Sequence, residues 1–395
     1  MDYEKIKKYL DSLVAEGIPS VDLIISKNHE RKFRYTTGFV DSGKSVPVNE
    51  NQRYLMFSMT KVQTMTAIMQ LIEQGKVSYD DKVSKFLPAY ENLTVEVPLT
   101  EDAKTDALLP EDGHEKSSEA KVVPCSTPLL IKHLVSMQSG LDYELDRPGI
   151  VRVLKEKGMK ATTRELVDSF VESPLIFVPG THFNYSLSHD VVAAVIEVVS
   201  GMSFSEYLRE NIWKPLGMKD TFFAKPMNDD VDRLAQQFIV DDFGKIVPME
   251  QSCNYQLSEA YESGGAGLIS CTSDYAILAD ALSCGGLAEN GNRILRPESV
   301  DLIKTNLLGE DSRKDIREKM GRVGYGYGCG MQVFMEPELV NSPAPAGIFG
   351  WDGAAGSCIL MDAASGMSFV FAMHVRNCGK AYDTIHPKLR DMIFS

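Results

Sequence analysis

Along this chain of 395 residues, apolar side chains follow a strand period near both ends and a helical period between them. Tyr3, Ile6, Tyr9, Leu10, Leu13 and Val14 form an i, i+3, i+4, i+7 stripe that stops at Gly17 and Pro19, which predicts a helix over 2–16. Val21 to Ile25 and Arg34 to Val40 then read as strands, joined by the polar turn Lys27 to Lys32. A second helix is predicted from Ser58 to Gln74, carrying Met59, Val62, Met65, Met69 and Ile72 and ending at Gly75. From there to about residue 320 the patterns are mainly helical. After Arg322 come four short apolar runs separated by Gly and Ala turns: Gly324 to Phe334, Gly347 to Trp351, Ser357 to Asp362 and Met367 to Val375. They read as consecutive antiparallel strands, and Tyr382 to Phe394 as a closing helix.

Strands at both ends with helices between them predict an α+β fold. An antiparallel sheet flanked by the N- and C-terminal helices would form an α/β lobe from residues 1–75 and 322–395. Residues 76–321 would form a mainly helical lobe inserted into it. Within that insertion the stretch 91–125 stands apart, with nine acidic residues, three basic ones and three prolines. It supplies nearly half of the net charge of -14 and reads as a solvated excursion, with strand-like flanks at Leu93–Val97 and Lys121–Val123.

Several function classes fall away. An acidic chain lacks the basic field needed to hold a phosphate backbone, so nucleic acid is not expected as a partner. The best apolar run, Val191 to Val199, is far short of the ~20 residues of a membrane span and already contains Glu197. The N-terminus Met1-Asp2-Tyr3-Glu4-Lys5 has no apolar signal core behind it, so a cytoplasmic location is expected. Seven cysteines, with no Cys-x-x-Cys pair, read as buried thiols of a reducing compartment. No His-Glu-x-x-His, phosphate loop or Gly-x-Ser-x-Gly elbow is present, and neither a metal nor a cofactor is expected.

Ser-x-x-Lys remains, and it occurs twice, at Ser58–Lys61 and at Ser118–Lys121. Ser118 lies in the charged stretch, where nothing would desolvate its lysine. Ser58 follows the apolar Tyr54-Leu55-Met56-Phe57 and opens the second helix, so a three-residue spacing puts both side chains on one face. A free lysine, with a pKa of about 10.4, is only ~0.04% neutral at pH 7. Burial could lower that pKa by ~2–3 units and make Lys61 a base for a Ser58 nucleophile. The same pattern also suits an N-cap serine beside a solvated lysine.

A second segment resolves the choice. Pro179-Gly180-Thr181-His182-Phe183-Asn184-Tyr185-Ser186-Leu187 leads into an apolar helix, and Pro215-Leu216-Gly217-Met218 follows. Together with Ser58-x-x-Lys61 this resembles the serine β-lactamase-like superfamily, which includes class C β-lactamases, D,D-peptidases and family VIII carboxylesterases. His133-Leu134 with Ser139-Gly140-Leu141, and Gly264-Gly265-Ala266-Gly267-Leu268 with Asp274, match further family segments in the expected order, although Gln138 departs from the first. The resemblance implies that Tyr185 shares proton transfer with Lys61, either as phenolate or through a relay. It also implies that the third family motif falls at Trp351-Asp352-Gly353, with an oxyanion hole made of the backbone N–H groups of Ser58 and Ala354.

The departures shape the expected substrate. Leu187 stands where β-lactamases and peptidases keep an amide-binding asparagine, and Trp351 where they keep a cation. Leu187, Trp351, Asp352 and Gly353 are therefore the expected substrate-binding residues, and the set is similar to that of family VIII esterases. The expectation is a serine hydrolase that cleaves small, uncharged carboxylic esters through an acyl-enzyme on Ser58. The alternatives are amide hydrolysis of the β-lactamase, D,D-peptidase or D-aminopeptidase kind, or acyl transfer.

Overall fold

The structure is a computed structural model, and it describes residues 1–98 and 120–395. In chain order, the elements that frame the site are α1 (Tyr3–Ala15), β1 (Ser20–Lys27), β2 (Glu30–Gly38), α2 (Thr60–Glu73), α3 (Ser188–Ser200) and α4 (Thr272–Ser283). They are followed by β3 (Tyr325–Tyr327), β4 (Gln332–Phe334), β5 (Phe349–Asp352), β6 (Cys358–Asp362), β7 (Met367–Ala372) and α5 (His386–Phe394). Seven strands make one sheet in the order β3-β4-β5-β6-β7-β1-β2, with every neighbouring pair antiparallel. The two N-terminal strands thus add to a meander formed 300 residues later, and Leu23 faces Phe371 across the junction.

Strand alternation sorts the sheet into two faces. Val21, Leu23, Ile25, Phe369 and Phe371 pack against Ile6, Leu10 and Leu13 of α1 and against Leu389 and Ile393 of α5. Ile24, Ile359 and Val370 face the other way, into the larger core that holds α2, α3 and α4. Each large apolar side chain fully buried here contributes roughly 1.5–3 kcal/mol. No single helix among the described residues is long and apolar enough to cross a membrane. The apolar α3 is instead buried along Ser188–Ile196.

Four details differ from the sequence expectation. The run Gly324–Phe334 is a hairpin rather than one strand, turning where the Gly328 N–H donates to the Met331 carbonyl at 2.8 Å. The run Met367–Val375 breaks after Ala372, and Val375–Arg376 pairs in parallel with Phe238–Ile239. His374 makes that break. Its Nδ1 donates to the Ala235 carbonyl at 2.8 Å and its Nε2 accepts from the Leu55 N–H at 3.3 Å. Burial keeps this ring neutral by lowering its pKa to about 4.

The third difference is that α2 begins at Thr60 and is buried on nearly every side, including Thr60, Gln63, Thr64 and Thr66. Its polar positions are affordable because the threonines find partners, Thr66 Oγ1 locally at the Val62 carbonyl (2.8 Å) and Thr64 Oγ1 across the core at the Gly264 carbonyl (2.6 Å). The last difference is that short strands also lie outside the main sheet: Arg53–Leu55, Phe222–Phe223 and Leu268–Cys271 form a three-stranded sheet beside the turn that carries Ser58. The flanks of the acidic stretch pair as Thr94–Pro98 with Ala120–Pro124. Residues 99–119, and with them Ser118, lie outside the described residues.

Candidate active site

Ser58 sits on a single 3₁₀ turn, Phe57–Met59, between the strand Arg53–Leu55 and α2. The preceding Phe57 has φ +46°, a left-handed conformation that costs a bulky residue of order 1–3 kcal/mol. Its fully buried ring, packed with Leu55, Ile269 and Ala355, holds the turn in that shape. Ser58 is left half-buried.

Lys61 is fully buried one turn further on. Its Nζ lies 3.2 Å from Ser58 Oγ and 3.4 Å from the Tyr143 hydroxyl, and it donates to the Gly265 carbonyl at 2.7 Å. The Tyr185 ring centroid is 4.5 Å away. Burial brings the Lys61 pKa down to about 7, against opposition from the charges of Asp190 and Asp352. An amine that is substantially neutral at pH 7 can aim its lone pair at a serine hydroxyl while the Gly265 carbonyl fixes one of its N–H bonds.

The loop that supplies this carbonyl is braced from below. Asp190 of α3 is fully buried and accepts from Tyr261 Oη at 2.7 Å and from Ser263 Oγ at 2.6 Å. Gly265 has no room for a side chain. A Cβ there would lie 2.7 Å from Asp190 Oδ2 and 3.0 Å from the Tyr143 hydroxyl.

Tyr185 faces Lys61 from the other side. The Trp351 indole N–H donates to its hydroxyl at 3.0 Å, and the two rings stack with centroids 5.5 Å apart. Burial pushes the Tyr185 pKa well above its ordinary value, with Ser58 and the Trp351 N–H pulling partly back. The phenol is therefore protonated near neutral pH, which suits the relay and disfavours the phenolate. Tyr143 stacks on Tyr185 at 5.6 Å, and Tyr255 meets Tyr143 edge-on at 5.4 Å.

At the end of β5 the turn 353–357 closes on the Met56–Ser58 segment. A Cβ on Gly353 would lie 2.4 Å from the Met56 carbonyl, so only glycine lets the turn come this near. The next residue, Ala354, is half-buried and packs with Phe57 and Ala355.

Ser58, Lys61, Tyr185, Trp351, Gly353 and Ala354 thus converge from three separate segments. Two expected substrate contacts do not join them. The Asp352 carboxylate points to an ion pair with Arg322 and has His386 Nδ1 at 4.0 Å, as alternation along β5 requires if Trp351 faces the cleft side. Leu187 is 5% exposed and lines a small separate cavity with Leu141, Ile150 and Phe170. Trp351 is itself only 1% exposed, so it backs Tyr185 instead of lining an open pocket. Tyr143, Tyr255, Asp190 and the Gly265 carbonyl were not singled out from sequence. A signal existed for Tyr143, which follows Ser139-Gly140-Leu141 by two residues.

One group of mixed donor atoms lies elsewhere. His29, Asp280 and Cys284 gather theirs within 4.8 Å of one another. Asp280 already accepts from the His29 backbone N–H at 2.9 Å and from its Nδ1 at 2.7 Å, which accounts for the cluster as a clasp between the β1–β2 turn and α4.

The Beta-lactamase family model matches residues 6–377. The chain belongs to the β-lactamase family. Within it, the chain is 24% identical over 403 residues to Esterase EstB of Burkholderia gladioli, covering 94% of this chain and 90% of the esterase. It is 26% identical over 329 residues to Acyltransferase calJ of Penicillium decumbens, covering 78% and 72%. The fold matches the solved structure of EstCE1, a hydrolase with promiscuous acyltransferase activity, with a TM-score of 0.76 and 23% identity, covering 100% of this chain and 98% of that one.

Proposed function

We propose that the chain is a serine hydrolase that cleaves small carboxylic esters through an acyl-enzyme on Ser58. The observation that carries this reading is the fully buried Lys61, 3.2 Å from Ser58 Oγ and brought by burial to a pKa of about 7. Lys61 takes the Ser58 proton as the oxygen attacks the ester carbonyl. The N–H groups of Ser58 and Ala354 receive the oxyanion, and such donors are typically worth ~3–4 kcal/mol each. Tyr185, protonated and held by Trp351, hands its proton to the departing alkoxide and takes up the one that Lys61 removed from Ser58, which returns Lys61 to its neutral form, and it later helps water to deacylate Ser58. The roles given to Ser58, Lys61, Tyr185 and Ala354 are part of this proposal, as is the closeness to family VIII carboxylesterases. Action in a reducing compartment is part of it too, supported by seven free cysteines of which five are buried.

A second reading replaces water with an alcohol as acyl acceptor. It is favoured by the similarity to Acyltransferase calJ and to EstCE1, a hydrolase with promiscuous acyltransferase activity. Both readings share the acyl-enzyme. A fluorophosphonate is expected to label wild type at Ser58 and to leave Ser58→Ala unlabelled, with short p-nitrophenyl esters turned over far faster than a chromogenic cephalosporin. Absence of labelling in folded protein, or efficient cephalosporin turnover with inert esters, would overturn the esterase reading.

A further inference from the structure

Trp351 is buried behind Tyr185, so the polarity of the cleft is set by other groups, and the rim holds a cation. Arg376 follows the His374 break and is carried there because the Val375 N–H donates to the Ala355 carbonyl at 3.0 Å, one residue from Ala354. Its guanidinium carbon lies 5.2 Å from the Phe57 ring centroid and 5.8 Å from that of Tyr255. Phe57 adjoins the nucleophile, and Tyr255 touches Tyr143, which reaches Lys61.

Arg376 differs from the paired arginines near the site. Arg322 is paired with Asp352 and Arg34 with Asp22. Arg376 instead donates from Nη1 to the neutral Asn254 Oδ1 at 3.1 Å, and among the described residues no carboxylate pairs with it. The two rings pack against the guanidinium and leave Arg376 half-exposed beside Phe57. A guanidinium so held has donors free for a planar anion, and a carboxylate matches its geometry with two parallel N–H···O bonds.

We infer that Arg376 is a specificity-determining residue that binds a carboxylate on the substrate, beside the ester that Ser58 attacks. The substrate class is then the half-ester of a dicarboxylic acid or a similar anionic ester, in place of the uncharged ester expected from a Trp-lined pocket. The inference rests on the esterase reading for the reaction and on Arg376 alone for the anion.

Methyl hydrogen adipate and methyl hexanoate differ only in ending on a carboxylate or a methyl group. Wild type is expected to favour the adipate, and Arg376→Gln to lower its kcat/KM about tenfold or more, mainly through KM, as befits a charge-assisted bond. The loss with hexanoate should be at most about twofold, and Arg376→Lys should recover part of the adipate rate. Equal losses on both esters, or no loss on either, would overturn the inference. Binding is tested apart from turnover by calorimetric titration of methyl hydrogen adipate into Ser58→Ala protein. Binding that Arg376→Gln weakens about tenfold or more supports anion recognition even if no ester is hydrolysed. Binding that is absent or unchanged contradicts it.

Discussion

The floor and the rim of the cleft are built by opposite rules. On the floor, Lys61 and Asp190 are completely buried, and most of their polar atoms have partners supplied by the fold: the Gly265 carbonyl, Tyr261 and Ser263. On the rim, Tyr143, Tyr255, Ala354 and Arg376 are half-exposed, and among the described residues no carboxylate pairs with the guanidinium. The floor holds one lysine in one protonation regime and one direction. The rim keeps bonding capacity for something that arrives from outside. A change on the floor should therefore act on the rate for every substrate, and a change at the rim should sort substrates.

The largest effect is expected from Gly265→Ala. The added methyl would press on Asp190 Oδ2, Tyr143 and Lys61 Nζ, whose distances from it would be 2.7, 3.0 and 3.4 Å. Shifting the base by a fraction of an ångström to an ångström costs up to about 10²-fold in rate. Steady-state kinetics should show this as a fall in kcat common to all esters. An effect confined to KM would mean that Gly265 belongs to the rim.

Trp351→Phe is expected to be smaller. It keeps most of the stacking on Tyr185 but removes the N–H that donates to its hydroxyl. A net hydrogen bond of ~1 kcal/mol corresponds to about a fivefold lower kcat/KM. The loss should be the same for neutral and anionic esters, because Trp351 is buried behind Tyr185. A selective loss on one ester would place Trp351 at the rim after all.

The same contrast explains what could be read in the sequence. Ser58, Lys61 and Tyr185 announce themselves because each sits in a local pattern, and the sheet announces itself because strand period returns after Arg322. The sidedness of β5 was also available in principle, since neighbours on a strand face opposite ways, and it separates Trp351 from Asp352. The floor was less legible. The Gly264–Gly267 turn could be recognised, but the part of Gly265 that matters is a backbone oxygen, which carries no residue signature. Asp190 acts across 73 residues on Ser263, with no periodicity to join them. Arg376 and Asn377, at the end of the last strand, read from sequence as a surface cap ahead of an anion site; what the sequence did not give is the break that seats Arg376 beside Phe57, made where His374 bridges Leu55 and Ala235.

The central claim is that burial makes Lys61 a base near neutral pH. The groups facing it constrain how it can be tested. Burial pushes Tyr143 and Tyr185 well above their ordinary pKa and His189 well below. It also raises Asp190. A lysine with a lowered pKa gains its neutral, reactive form as pH rises through that value. The single-turnover acylation rate of wild type, followed across pH with an ester whose own charge is constant, should therefore climb through a midpoint near 7 and then level off. A rate independent of pH across this range, or one still climbing toward the ordinary lysine value of about 10.4, would contradict the account.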